Sequence, residues 1–363
     1  MQIRNTTKME AAYTLGMRPD GRELVVVVVK GTFAFPARAG ELPKLLTEQP
    51  PLTMADEFAG EPGYSSTLIE ADFVPEKPNA EVLLIGTAHA PEGKPTNQLL
   101  VSLRVGELQK QIQVVGDRTW RGTLSRPQIT PPAEFTQMPL GYERAFGGID
   151  ASDLETGSVV YDANPIGRGF VARSKNEALV NQPLPNLEEP GRPVVDPRRD
   201  YRPMSFGPIG RAWKPRRDYA GTYDADWKAN QFPFLPTDFD ERYYQSAPED
   251  QQLPSLVGGE QVELTNLTPE GLCRFQLPTI AVPIEFHLQD ATIETRNARL
   301  DTLHIDADQR QFSMVWRTSY LIVRDIFELN LALVGRMPRA WYRARELGKK
   351  YYDNLSELAA EKI

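Results

Sequence analysis

Cysteine and histidine are scarce in this chain of 363 residues: Cys273 is the one cysteine, and His89, His287 and His304 are the three histidines. A lone thiol forms no internal disulfide and fits a reducing cytoplasm. Followed by Arg274 and Phe275, it reads as a small buried hydrophobe. The histidines are isolated, with no H-E-x-x-H pattern and no cysteine cluster near them, so no zinc-type site is indicated. His287, alternating with Phe286 and Leu288, reads as a surface or satisfied histidine. Long apolar runs are missing too. The longest, Leu24 to Val29, falls far short of the roughly 20 residues a membrane helix needs, and the opening MQIRNTTKME has no hydrophobic signal core. A cytoplasmic protein without a membrane partner is expected. Nor is there a basic excess: the net charge of −8 and pI near 5.2 argue against a general nucleic-acid binder, because phosphates reward a basic surface.

Nucleotide and nucleophile motifs are absent as well. The stretch GYERAFGGIDASDLETGSVVYDANPIGRGF, Gly141 to Phe170, is rich in glycine but contains neither G-x-x-x-x-G-K-[ST] nor G-x-G-x-x-G. Gly167-Arg168-Gly169 follows Asn164-Pro165 rather than a strand leading into a helix, so the backbone donors of a phosphate cradle are not assembled. These glycines read as turn chemistry that shapes a scaffold. Gly63-Tyr-Ser-Ser-Thr67 lacks the closing glycine of a nucleophile elbow. Asp306 and Asp308 lack the glycine and distal glutamate of a calcium loop. No cofactor is expected.

What the chain does have is β pattern. Val25 to Val29 follows the turn signal Arg18-Pro-Asp-Gly21 and reads as a central strand, with Phe33 and Phe35 on one face of its extension. Strands are expected at 81–88, at 98–105 and at 108–115, the last two joined by a hairpin at Gly106-Glu107. Alternation returns at 261–264, 282–288, 300–305 and 312–317. After Pro338, Trp341, Ala344, Leu347, Tyr351, Leu355 and Leu358 recur with helical spacing. The expectation is a mainly β protein of two β-sandwich-like or barrel-like domains with long ordered loops: an N-terminal β domain over 1–125, a loop-rich β domain over 126–333, and a C-terminal amphipathic helix over 334–363.

Between the strand-rich parts, prolines interrupt the chain, yet eleven aromatics lie between Tyr201 and Tyr244. Rings in that number imply ordered loops rather than a disordered linker. Two clusters there carry chemistry. From Arg198 to Arg217 seven basic residues (Arg198, Arg199, Arg202, Arg211, Lys214, Arg216, Arg217) stand against one acid, Asp200. They are either solvated partners of the nearby Glu188, Glu189 and Asp196 or, with Trp213, an acceptor for an acidic partner surface. Asp224, Asp226, Asp238, Asp240 and Glu241 lie among the aromatics. A carbohydrate-active enzyme or a glycan-binding module would use carboxylates and rings in this way, and ordered loops would use them for Asx turns and packing.

Eight stretches in order resemble one bacterial family: YERAFGG (142–148), NPIGRGF (164–170), LPNLEEP (184–190), FGPIGRAWKPR (206–216), GTYDADW (221–227), LPTDFDERYYQSAPEDQQ (235–252), GGEQVELTNL (258–267) and LDTLHID (300–306). This is the family of type VI secretion effector adaptors, long catalogued as a domain of unknown function. The resemblance reaches from the N-terminal strands to about Arg317. It implies a non-enzymatic cytoplasmic chaperone that holds a secreted effector and helps load it onto the spike, through the spike trimer protein or its cone-shaped tip protein. The expected contact residues are the basic stretch with Trp213, together with Trp341, Leu347 and Tyr351 of the C-terminal helix, which lies outside the matched motifs.

Overall fold

The computed structural model describes the chain except residues 39, 124, 151–157, 173–178, 180, 198 and 353–363. It is mainly β, with short helices in the loops and one at the C-terminal end. In chain order the principal strands are β1 (Gln2–Asn5), β2 (Glu10–Met17), β3 (Glu23–Ala34), β4 (Ala80–Ile85), β5 (Gln98–Val105), β6 (Leu108–Val115), β7 (Gln261–Thr265), β8 (Leu272–Gln276), β9 (Pro283–Leu288), β10 (Ile293–Asn297), β11 (Arg299–Asp306), β12 (Gln311–Leu321) and β13 (Leu329–Val334). The α-helices are α1 (Arg216–Tyr219), α2 (Ala225–Asn230) and α3 (Arg339–Glu346).

Three sheets are built from them. The seven-stranded sheet runs Gln252–Leu253, β4, β11, β12, β3, β2, with Lys44–Leu45 added to β3. The five-stranded sheet runs Leu187–Glu188, β6, β5, β7, β8, and its β5–β6 hairpin turns at Gly106 as the sequence predicts. The four-stranded sheet runs β1, β13, β9, β10.

The valine run explains why β3 is central. Val25, Val27 and Val29 face the main hydrophobic cluster, while Leu24, Val26 and Val28 face a second one with Leu52 and Val315. A strand covered on both faces reads as a continuous apolar run rather than an alternating one. Each fully buried valine contributes about 1.5–3 kcal/mol by leaving water. Phe33 stacks on Phe312 at 5.4 Å and Phe35 lies 4.8 Å from Phe275, linking the seven- and five-stranded sheets.

The segments 1–125, 126–333 and 334–363 do not each own a sheet. β3 pairs with β12 along its whole length, β4 pairs with β11, and β1 pairs with β13. One cluster draws Val27, Val101, Leu264, Phe286 and Val334 together. Alternation along a strand reports which residues are buried and carries no information on which distant strand lies beside it, so a linear division missed this interleaving.

The C-terminal helix is shorter than its apolar period implies. α3 ends in a Schellman arrangement: Lys349 N–H donates to Ala344 O at 2.8 Å and Gly348 N–H to Arg345 O at 3.0 Å. Gly348, at φ +61°, is the left-handed residue that this stop requires. Leu347 is exposed, and Tyr351 packs from beyond the helix against the cluster around Trp341. Leu355 and Leu358 lie outside the described residues. Among the described residues no helix is long and apolar enough to cross a membrane.

Candidate partner-binding surface

The described cations of the basic stretch are matched by acids, with Arg216 buried, Arg211 half-buried and the others exposed. Arg216 is 2% exposed; its guanidinium lies against both oxygens of Glu70 and also donates to the Tyr243 and Ile209 carbonyls. Arg211 donates to Asp56 at 2.8 Å and 3.1 Å. Burial disfavours both charges of that pair, but the bond between them holds Arg211 above and Asp56 below their ordinary values. Arg202 meets Asp250 at 2.6 Å, Arg217 meets Asp162 at 3.1 Å, and Lys214 lies 4.0 Å from both Asp162 and Asp218. Arg199 lies 3.5 Å from Asp196. Arg198 is outside the described residues. Of the three acids expected as partners, Glu188 instead binds Arg118 and Glu189 binds Arg192. Trp213 is buried edge-on against Tyr142 at 5.3 Å. A partner docking on the folded chain therefore reaches neither Trp213 nor Arg216.

The glycine-rich motifs form a close-packed crossing. Gly147 and Gly148 have φ of +146° and +108°, and a Cβ at Gly147 would strike the Asn164 carbonyl. Side chains larger than hydrogen do not fit there. Asn164, fully buried, donates to Tyr142 O at 2.9 Å and to Phe146 O at 3.0 Å, and its own carbonyl accepts from Gly148 N–H at 2.8 Å. Asn186 of LPNLEEP donates to Val115 O at 3.0 Å and accepts from Arg144 at 3.1 Å. Side-chain amides here satisfy backbone carbonyls. The scaffold reading of these glycines accords with this geometry.

A second clasp centres on Glu81, completely buried in β4. Its carboxylate pairs with Lys77 and accepts from Gln245 Nε2 at 3.0 Å, Ser246 N–H at 2.8 Å, Ser246 Oγ at 2.9 Å and Ala247 N–H at 3.0 Å. Burial by itself would raise its pKa; Lys77 and the backbone donors outweigh that and bring it down to about 2. The motif residues Gln245 to Ala247 thus tie the central loops to the large sheet.

These anchors frame an exposed aromatic lobe. Tyr223, Phe232 and Phe234 are 54%, 67% and 43% exposed. Trp227 lies edge-to-face with Tyr223 at 4.8 Å and with Phe232 at 5.6 Å, and its Nε1 donates to Phe234 O at 2.9 Å. The acids weighed as catalytic groups hold the lobe's shape. Asp224 caps α2 by accepting from Trp227 N–H at 2.9 Å. Asp226 accepts from Asn230, Asp238 from the amide and hydroxyl of Thr222, and Asp240 from the amide and guanidinium of Arg242. Bonding to Thr222 and Arg242 respectively holds Asp238 and Asp240 below the ordinary carboxylate value. Glu241 is pushed up by burial and by Glu76 nearby. The sequence offered these rings either as packing or as faces of a glycan site; Pro233 and Pro236 keep 231–238 out of helix and strand.

On α3, Trp341 is buried against Leu331 and Leu333 of β13 and lies edge-on to His287 at 5.7 Å. His287 bonds Glu285 at 3.0 Å, and Tyr342 donates to the other Glu285 oxygen at 2.8 Å. The apolar face of the helix is therefore occupied by the chain's own sheet. His287 is a buried, satisfied histidine.

Across residues 20–317 the chain matches a bacterial family described as "Uncharacterized protein conserved in bacteria (DUF2169)", and it belongs to that family. No curated protein and no solved structure matches the chain.

Proposed function

We propose that the protein is a cytoplasmic, non-enzymatic adaptor that binds a type VI secretion effector and helps load it onto the spike trimer protein or its cone-shaped tip protein. The exposed aromatic lobe carries this reading: Tyr223, Phe232 and Phe234 stand in solvent, braced by α2 and by the Trp227–Phe234 bond. Clustered exposed rings on a rigid support are the usual anchor of a protein interface. The resemblance of the eight motifs supplies the kind of partner.

The test is recovery of the tagged chain from its own host under mild salt, followed by mass spectrometry of what accompanies it. A large toxin-like protein together with spike components is the expected outcome, lost when Phe232→Ser and Phe234→Ser are combined. Recovery of the chain alone, in cells that express the secretion apparatus, would sink the proposal.

A further inference from the structure

The seven-stranded sheet ends on β2, which pairs on one side only, with β3. An open edge is a template for another strand, and proteins blunt such edges with shortness, charge, proline or a bulge. The other edges of the three sheets carry these devices. Leu187–Glu188 and Gln252–Leu253 are two residues long and β1 is four, β8 carries Arg274, and β10 carries Glu294 and Arg296. β2 is eight residues long, and Ala11 to Met17 contains neither a charge nor a proline. It meets β3 residue for residue, from Glu10 opposite Lys30 to Met17 opposite Glu23, without a bulge. Tyr13 and Leu15 stand 37% and 57% exposed on it.

The β2–β3 turn fixes which backbone groups face outward. Arg18 N–H donates to Arg22 O at 2.9 Å, so Arg18 and Arg22 form a hydrogen-bonded pair. Opposed residues of an antiparallel ladder alternate between bonded and non-bonded pairs, so Gly16, Thr14, Ala12 and Glu10 also bond to β3. Ala11, Tyr13, Leu15 and Met17 consequently turn their N–H and C=O groups away from the sheet. Among the described residues no other backbone group meets them, and the Thr14 hydroxyl, 3.4 Å from Leu15 O, is the side-chain donor that reaches one.

We infer that β2 pairs antiparallel with β2 of a second copy of this chain, about a two-fold axis through Thr14. In that register Tyr13 lies opposite Leu15 and Ala11 opposite Met17, so the outward N–H and C=O groups of one copy meet their complements in the other. The exposed Tyr13 and Leu15 side chains then cover each other as two aromatic–aliphatic pairs. Charge selects this register over its neighbours. Glu10 falls opposite Arg18 at both ends, and Lys8 falls towards Asp20. Sliding one strand by two residues is the smallest step that keeps outward groups facing each other. It brings either Lys8 towards Arg18 or Glu10 towards Asp20, like charges in both cases. The match between the two ends of one strand favours a second copy over a strand of another protein. This pairing stands apart from the adaptor reading, since none of its residues belongs to the aromatic lobe.

The test is sedimentation of the full chain over a concentration series. A dimer is expected, weakened at least ~10-fold by Glu10→Arg or by Arg18→Glu, each of which opposes like charges, and restored by the two together. Leu15→Pro removes an outward donor while sparing the bonds to β3, and is expected to leave a monomer whose urea midpoint stays near that of the wild type. Thr14→Cys in a Cys273→Ser background should form an intermolecular disulfide on oxidation, because the axis sets the two residues within bridging distance. Ala12→Cys, which faces Gly16 of the second copy, should not. A monomer at every concentration reached, a dimer indifferent to Leu15→Pro, or charge variants that the double exchange fails to rescue would each overturn the self-pairing. So would a monomer that loses its host partners with Leu15→Pro, which would assign the edge to a partner's strand.

Discussion

Arg216 and Glu70, 146 residues apart in sequence, form a two-pronged ion pair buried in the interior. Breaking a buried pair costs about 3–5 kcal/mol where the remaining charge is left unmatched, and Arg211, 3.6 Å from Glu70, offsets part of that cost here. Arg216→Ala should therefore lower the urea midpoint steeply, whereas Arg217→Ala, on the surface next door, should leave it nearly unchanged. Equal midpoints for the two variants would show that the interior pair is not formed. Loss of partner binding by an Arg216 variant is accordingly a folding effect until the midpoint says otherwise.

Glu81 sets an acid limit. Its folded pKa of about 2 lies below the ordinary value of 4.5, so the unfolded chain takes up the proton first. The stability it contributes is complete above about pH 4.5 and is lost as pH falls from there through about 2. Glu81→Gln should flatten the denaturation midpoint across that window and lower it at neutral pH. A profile unchanged in slope would contradict the clasp.

His304 acts at milder pH. Burial lowers its pKa from 6.5 despite the bond between its Nε2 and Leu68 O at 3.0 Å. With the folded value depressed, its contribution is intact above about 6.5 and declines as pH drops through the lower folded value. Midpoints measured at steps below neutrality should fall for the wild type and fall less for His304→Gln.

Gly147→Ala is expected to cost about 1–3 kcal/mol or more, since the left-handed backbone and the Asn164 carbonyl both exclude a methyl group. Calorimetry checks this. A melting temperature equal to wild type would show that the crossing at Asn164 tolerates expansion.

Trp341→Ala should release α3 from β13 without unfolding the sheets. Trypsin is then expected to cut at Arg343 and Arg345 many times faster, while the main unfolding transition shifts little. Unchanged cleavage would mean that other contacts hold the helix.

The sequence by itself determined the β class, the central valine strand, the β5–β6 hairpin and the presence of a helix after Pro338, because each depends on short-range periodicity or turn chemistry. It also showed that the glycines of 141–170 lack the strand–glycine–helix order of a phosphate site. Tertiary structure alone decided where each charge sits. In sequence, 198–217 and 336–350 are both basic runs. Only the fold brings Asp56, Glu70, Asp162 and Asp250 to the first while leaving the arginines of the second in solvent. It also decided that Phe232 and Phe234 protrude while Trp213 is covered, and that β1 and β13, more than 300 residues apart, share one sheet. Residue type sets what a side chain favours; the long-range pairing of strands sets which partner it meets.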